Sequence, residues 1–159
     1  MAPANGTIGR QGAALGWRRF AALAALVTAA GCAATPPTSP FAGPGAAIID
    51  AERAGFFFAE ACILTAPGFE NVGTVLADHP FTQNEVTGTY FHDAGNLSIK
   101  GGLSGCSLVF GTDQPSDDVV AGLARGTAAV MQGQAVPEGI DVSSRMGPDG
   151  LRYFRIGMM

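Results

Sequence analysis

Histidine and cysteine are scarce in this chain of 159 residues, and their scarcity removes most familiar metal-binding and catalytic arrangements. Only two histidines and three cysteines are present, with no Cys-X-X-Cys or His-Glu-X-X-His spacing, so we predict no metal site. The Gly-X-Ser-X-Gly nucleophile elbow and the phosphate-binding loop are also missing. We therefore predict no catalytic residue and no cofactor.

The two histidines have ordinary structural explanations. His92 precedes Asp93, but adjacent residues of a strand or turn point apart, and Asp93 suits a turn on backbone grounds alone. His79 precedes Pro80 and is predicted to lie in a loop. Because no nucleophile motif accompanies them, neither is predicted to be catalytic.

Positive charge is scarce beyond residue 31. The first 31 residues hold three arginines and no acidic residue, whereas the rest hold six basic and thirteen acidic residues, a formal charge of −7. Such a surface repels phosphates, so we predict no nucleic-acid partner. Membrane attachment would have to come from acyl chains rather than from charge.

Long apolar runs are also absent. The longest, from Phe20 to Ala30, is shorter than the roughly 20 residues that a membrane span needs. It follows the three arginines, and this order of charged and apolar segments is typical of an export signal. Residues 1–31 are therefore predicted to be a signal peptide, which leaves enough chain for one domain.

The small residues Thr28 to Gly31 followed by Cys32 resemble the type II signal peptide of bacterial lipoproteins. In that family the peptidase cuts before the cysteine, whose sulfur carries a diacylglyceryl group and whose amine is acylated. The resemblance implies that Cys32 is lipidated and anchors the protein in the bacterial cell envelope, facing the periplasm or the exterior. The alternative is ordinary cleavage in the alanine-rich stretch, with Cys32 unmodified.

Lipidation of Cys32 would leave Cys62 and Cys106 as a pair. An oxidising envelope allows such a pair to form a disulfide, and helical and strand periodicity place both on inward faces. The alternative is that Cys62 is a reduced nucleophile, which would need a nearby base.

Composition and periodicity divide the remaining chain into a spacer and a domain. Residues 32–46 hold four prolines and no charge, typical of an extended spacer of up to roughly 40 Å. Residues 47–159 are predicted to be a single small α+β domain, in which an antiparallel sheet of about five strands carries two helices on one face. The predicted helices span 48–65 and 116–132, and the predicted strands lie within 86–110, 140–145 and 151–156.

The first helix carries an apolar stripe of Ile49, Phe56 and Ile63. Three consecutive phenylalanines, residues 56–58, cover about 200° of a helix, more than one sheet can bury. Either other parts of the chain cover the stripe, or it is a partner or self-association surface.

Arg145, Arg152 and Arg155 are half of the basic residues after residue 31. Gathered in the last predicted hairpin, they form either a carboxylate-binding patch or an ordinary solvated strand face.

Two classes of function remain open. The first is a non-enzymatic binding or accessory module that meets an envelope protein or the cell wall, and the second is a small envelope hydrolase with an unrecognised site. Residues 87–102, TGTYFHDAGNLSIKGG, resemble the Tyr, Gly and Lys-Gly rhythm of membrane-bound lysozyme inhibitors. That resemblance implies inhibition of a wall-degrading enzyme, although the family is an all-β barrel with a Trp in the motif, which residues 32–159 lack.

Overall fold

A computed structural model describes residues 47–159 and confirms the predicted α+β class. The predicted signal peptide, Cys32 and the spacer lie outside the described residues. The helices are α1 (Ala51–Phe58), which continues as a π-helical turn (Ala59–Ile63), α2 (Val72–Leu76) and α3 (Ser116–Met131). The strands are β1 (Phe81–Asn84), β2 (Thr89–His92), β3 (Leu97–Gly102), β4 (Gly105–Thr112), β5 (Asp141–Met146) and β6 (Arg152–Met158).

The six strands form one antiparallel sheet in the order β1-β2-β3-β4-β6-β5. The sequence predicted about five strands, and the additional one is β1 at an edge. Residues 87–102, whose resemblance to the lysozyme inhibitors implied a barrel, instead form the β2–β3 hairpin of this sheet.

Helix α1 forms because its start is capped and one of its faces is small and apolar. The carboxylate of Asp50 accepts the backbone N–H of Arg53 at 2.8 Å, and Glu52 lies in the first turn, where the helix dipole favours an acid. Ala54 and Phe58 are almost fully buried on the inward face. The helical stretch ends shortly before Pro67, as predicted.

Helices α1 and α3 approach closely through glycines. A Cβ atom added to Gly126 would lie 2.7 Å from the backbone nitrogen of Phe56, and one added to Gly122 would lie 2.8 Å from the Cβ of Ala51. No side chain fits at these contacts, so glycine is required for the helices to pack at this distance.

The turn between β1 and β2 lies where alternation predicts the start of a strand. Period-two alternation after residue 85 predicts Val86 and Leu103 on the side of Ile99, but both lie in turns and are 95% and 93% exposed. The side chain of Asn84 accepts the backbone N–H groups of Val86 and Thr87, each at 3.1 Å, and this closes the β1–β2 turn. Turn chemistry therefore overrides the alternating pattern here.

The core lies between the helices and one face of the sheet. Leu97, Ile99, Leu108 and Phe110 are fully buried on the face towards the helices. Residues directly opposite one another in an antiparallel ladder point the same way, so the alternate residues of these strands lie on the other face. We call that second face the open face.

Candidate ligand-binding site

The open face carries a row of four residues across four neighbouring strands. The register places Lys100 opposite Ser107, Ser107 opposite Gly157, and Gly157 opposite Asp141. Because neighbouring strands lie about 4.8 Å apart, the Cα atoms of Lys100 and Asp141 are about 14 Å apart. The row therefore has a cation at one end, an acid at the other and a floor of small residues.

Arg155 completes this arrangement. It lies two residues before Gly157 on β6, so it points to the same face, diagonally across from Asp141. Lys100, Ser107, Asp141, Arg155 and Gly157 all line one cavity of about 460 Å³. We call these five residues the open-face trough.

The charges of the open-face trough are available to a ligand. Lys100, Asp141 and Arg155 are exposed, and within residues 47–159 none of them takes part in an ion pair. Lys100 is also the only lysine of the chain. An ammonium and a guanidinium on one cavity can bind a carboxylate by charge-assisted hydrogen bonds.

Gly157 adds to the volume of the open-face trough because it has no side chain. A Cβ atom at this position would lie 3.5 Å from the carbonyl oxygen of Cys106 and 3.7 Å from the Cβ of Ser107, which are ordinary contact distances. Packing would therefore tolerate a side chain here. The space that the glycine leaves belongs to the cavity instead.

The three arginines predicted as a patch do not lie together. Arg155 and Arg145 are on the open face of β6 and β5, but Arg152 lies opposite Thr112 and shares the face of Phe154, towards the helices. An odd spacing along a strand puts residues on opposite faces, and Arg152 and Arg155 are three apart. Arg145 and Arg155 line a further cavity of about 290 Å³, and Lys100, which the predicted patch did not include, shares the open-face trough with Arg155.

The predicted apolar stripe is not a continuous exposed surface. Ile49 and Ile63 are buried at 7% and 5% exposure, and Phe56 is half-buried against the core. Neighbouring parts of the same chain therefore cover most of the stripe. Of these three residues, only Phe56 has a partly exposed side chain, and it lies beside α3.

Cys62 and Cys106 lie at disulfide distance, with their Cα atoms 5.4 Å apart. Both are buried, at 0% and 2% exposure. The bond joins the π-helical turn to β4, in agreement with the inward direction predicted for both residues.

His79 lies against Glu60 beside a second cavity. Its Nε2 atom lies 2.8 Å from a carboxylate oxygen of Glu60, which is on the π-helical turn, and both side chains are 25% exposed. The rings of Phe56 and Phe57 pack edge-on against the imidazole. The cavity, of about 630 Å³, is also lined by Arg53. Sequence reasoning assigned His79 to a loop and gave no signal of Glu60 as its partner.

His92 has a structural role. Its Nδ1 atom accepts the backbone N–H of Gly95 at 2.9 Å, which holds the β2–β3 turn in place. Burial, reinforced by the charge of Arg53, lowers the pKa of His92, with Asp93 acting in the opposite direction. The imidazole is therefore neutral with its proton on Nε2, and that atom is buried with no hydrogen-bond partner among the described residues.

Tyr153 closes the far end of the open face. It is 2% exposed and donates its hydroxyl to Asp149 of the β5–β6 turn, while Asn96 donates its side-chain amide to the same hydroxyl at 3.3 Å. The hydrogen bond from Tyr153 lowers the pKa of Asp149. Tyr153 is buried at this end of the sheet, and the open-face trough lies towards the other end.

Within residues 47–159 no group of three histidine, cysteine or acidic side chains is placed to hold a metal ion. None of the helices in this range is long and apolar enough to cross a membrane. Comparison of the chain with known protein families, with curated proteins and with solved structures finds no match.

Proposed function

We propose that this protein is a lipid-anchored, non-enzymatic binding module of the bacterial cell envelope, which captures a carboxylate-bearing ligand in the open-face trough. The observation that carries the proposal is the convergence of Lys100 and Arg155 on one cavity. In a region with more acidic than basic residues, two cations that share a cavity and form no ion pair within residues 47–159 favour a ligand that carries a carboxylate.

The location rests on two features of the chain. The segment before Cys32 resembles a lipoprotein signal, and a lipidated cysteine would hold the protein at the membrane through acyl chains. A buried cysteine pair at disulfide distance suits an oxidising compartment. Both features support the envelope as the site of action.

The anchoring is tested with Cys32→Ala in the full chain, expressed with its own signal. We expect this variant to move from the membrane to the soluble envelope fraction and to lose acyl labelling, whereas the neighbouring substitution Thr35→Ala keeps both. Unchanged membrane partition of Cys32→Ala would refute the anchor.

The binding is tested by sedimentation of the full chain with purified cell-wall sacculi, which present peptide carboxylates. Each lost charge-assisted contact contributes about 1.5–3 kcal/mol, so Lys100→Met combined with Arg155→Met should weaken binding by at least about a hundredfold. Arg152→Met is the matched control, since it removes an arginine from the same strand but from the opposite face. Equal sedimentation of the double variant and the unmodified chain would refute the site.

A second candidate function, hydrolysis of an envelope ligand, is favoured by the Glu60–His79 pair alone. A carboxylate that orients an imidazole can make it a general base towards water. Under this alternative, His79→Gln and Glu60→Gln would both abolish release of soluble fragments from sacculi. Absence of release by the unmodified chain excludes it.

A further inference from the structure

We propose that the ligand of the open-face trough is a short extended peptide with a free amine as well as a free carboxylate. This inference rests on the proposed function and adds the identity of the second charged group. In it, Lys100 and Arg155 bind the carboxylate, and Asp141 binds the ammonium.

The positions of the three charges support this assignment. Lys100 and Arg155 flank β4 diagonally, since Lys100 lies opposite Ser107 and Arg155 lies opposite Val109, and a carboxylate above Ser107 is within reach of both long side chains. Asp141 lies on the far side of Gly157, on β5. A ligand therefore meets positive charge over β4 and negative charge over β5.

The distances set the length of the ligand. Two strand intervals separate Ser107 from Asp141, which is about 10 Å between their Cα atoms. An extended peptide advances about 3.3–3.6 Å per residue, so two or three residues bridge the two ends of the trough. The low floor at Gly157 leaves room for the peptide backbone between these ends.

Asp141 also disfavours the simplest competing ligands. A phosphate dianion placed between Lys100 and Arg155 would be repelled by the exposed carboxylate of Asp141, whereas a zwitterionic peptide gains an ion pair there. The open-face trough is complementary to a molecule with both signs of charge. It is less suited to a purely anionic one.

The experiment uses the full chain, whose single lysine is converted to ¹³C-dimethyl-lysine, a modification that keeps the charge. The methyl signal of Lys100 then reports binding in an NMR titration. The probes are tri-alanine with free termini, its N-acetylated form and its C-terminal amide. We expect the free peptide to bind, and both blocked forms to bind about tenfold more weakly or worse.

Two substitutions separate the roles of the residues. Asp141→Asn should remove the preference for a free amine, so that free and acetylated peptides bind equally, while Asp113→Asn, an exposed acid outside the trough, changes nothing. Gly157→Val should block all three peptides by filling the floor while every charge is kept. A thermal melt of each variant checks that the fold is retained.

The outcomes distinguish this inference from the function on which it rests. If the acetylated and free peptides bind the unmodified chain equally, the amine contact is refuted and the carboxylate site stands. If no peptide binds, this inference is refuted, and the sacculus experiment decides the proposed function separately.

Discussion

Removal of the Cys62–Cys106 crosslink should cost this domain a large part of its stability. The two residues are 44 positions apart, and in the chain-entropy account a bond that closes such a loop contributes about 4 kcal/mol at 25 °C. Both side chains are buried, so replacing them with alanine also leaves small voids, which cost about 1 kcal/mol more. The total, about 5 kcal/mol, is comparable with the whole stability of many small domains.

The assay is unfolding of the unreduced full chain by heat and by urea, monitored by circular dichroism, with Cys62→Ala/Cys106→Ala as the variant. A loss of this size should lower the melting temperature by roughly 15–25 °C for a domain of about 110 residues. Cys32→Ala is the matched control, because it removes a cysteine that takes no part in the crosslink, and its stability should not change.

A loss of less than about 1 kcal/mol in the free energy of unfolding of the double variant would refute this estimate, since the loop-closure contribution would then be several-fold too large. Alkylation of two thiols in natively folded protein, purified from the envelope without reductant, would refute the crosslink itself. That second result would also remove one of the two supports for an envelope location.

Three further predictions follow from packing and ionisation. Gly126→Ala should lower the free energy of unfolding, measured in urea, by about 1–3 kcal/mol, because the new methyl group contacts the backbone of α1. The better helix propensity of alanine does not offset this contact. The control is Gly102→Ala, where a Cβ atom meets no atom within 4 Å, and it should have little effect. Burial lowers the pKa of His92 in the folded state below 6.5. The contribution of this residue to the free energy of unfolding should therefore be fully present above pH 6.5 and be lost as the pH falls through the folded-state pKa. His92→Asn should flatten this decline in urea unfolding curves measured across the pH range. Tyr153→Phe should raise the pKa of Asp149 towards 3.8, measured by NMR titration of the carboxyl carbon; an unchanged pKa would show that the hydroxyl is not its main cause.

The helices and the inward direction of the cysteines could be predicted from the sequence because they depend on local periodicity. Helical spacing put Cys62 on a buried face, and alternation put Cys106 on another, and both are buried in the folded chain. Strand β1 was missed because its four residues, Phe81–Asn84, contain one apolar side chain, and pairing with β2 through the Asn84 turn holds it in place.

The candidate site could be predicted only in part. Alternation with the apolar residues Leu97 and Ile99 predicts Lys100 on or beside the polar side of its strand, and strand spacing alone predicts Arg152 and Arg155 on opposite faces. What the sequence did not contain is the order of strands. The hairpins β3–β4 and β5–β6 are local, but the adjacency of β4 to β6 is set by long-range packing, and it brings Lys100 and Arg155 to one cavity.

The terminal hairpin of β5 and β6 joins the rest of the sheet along a single ladder, between β6 and β4. All six residues of β5 are exposed, so this edge strand is open to local unfolding. The open-face trough spans that joint, with Lys100 and Ser107 on the side that the disulfide fixes and Arg155 on the hairpin. A bound ligand would therefore act as a clamp across the ladder, and amide hydrogen exchange in β5 and β6 would slow when the trough is filled.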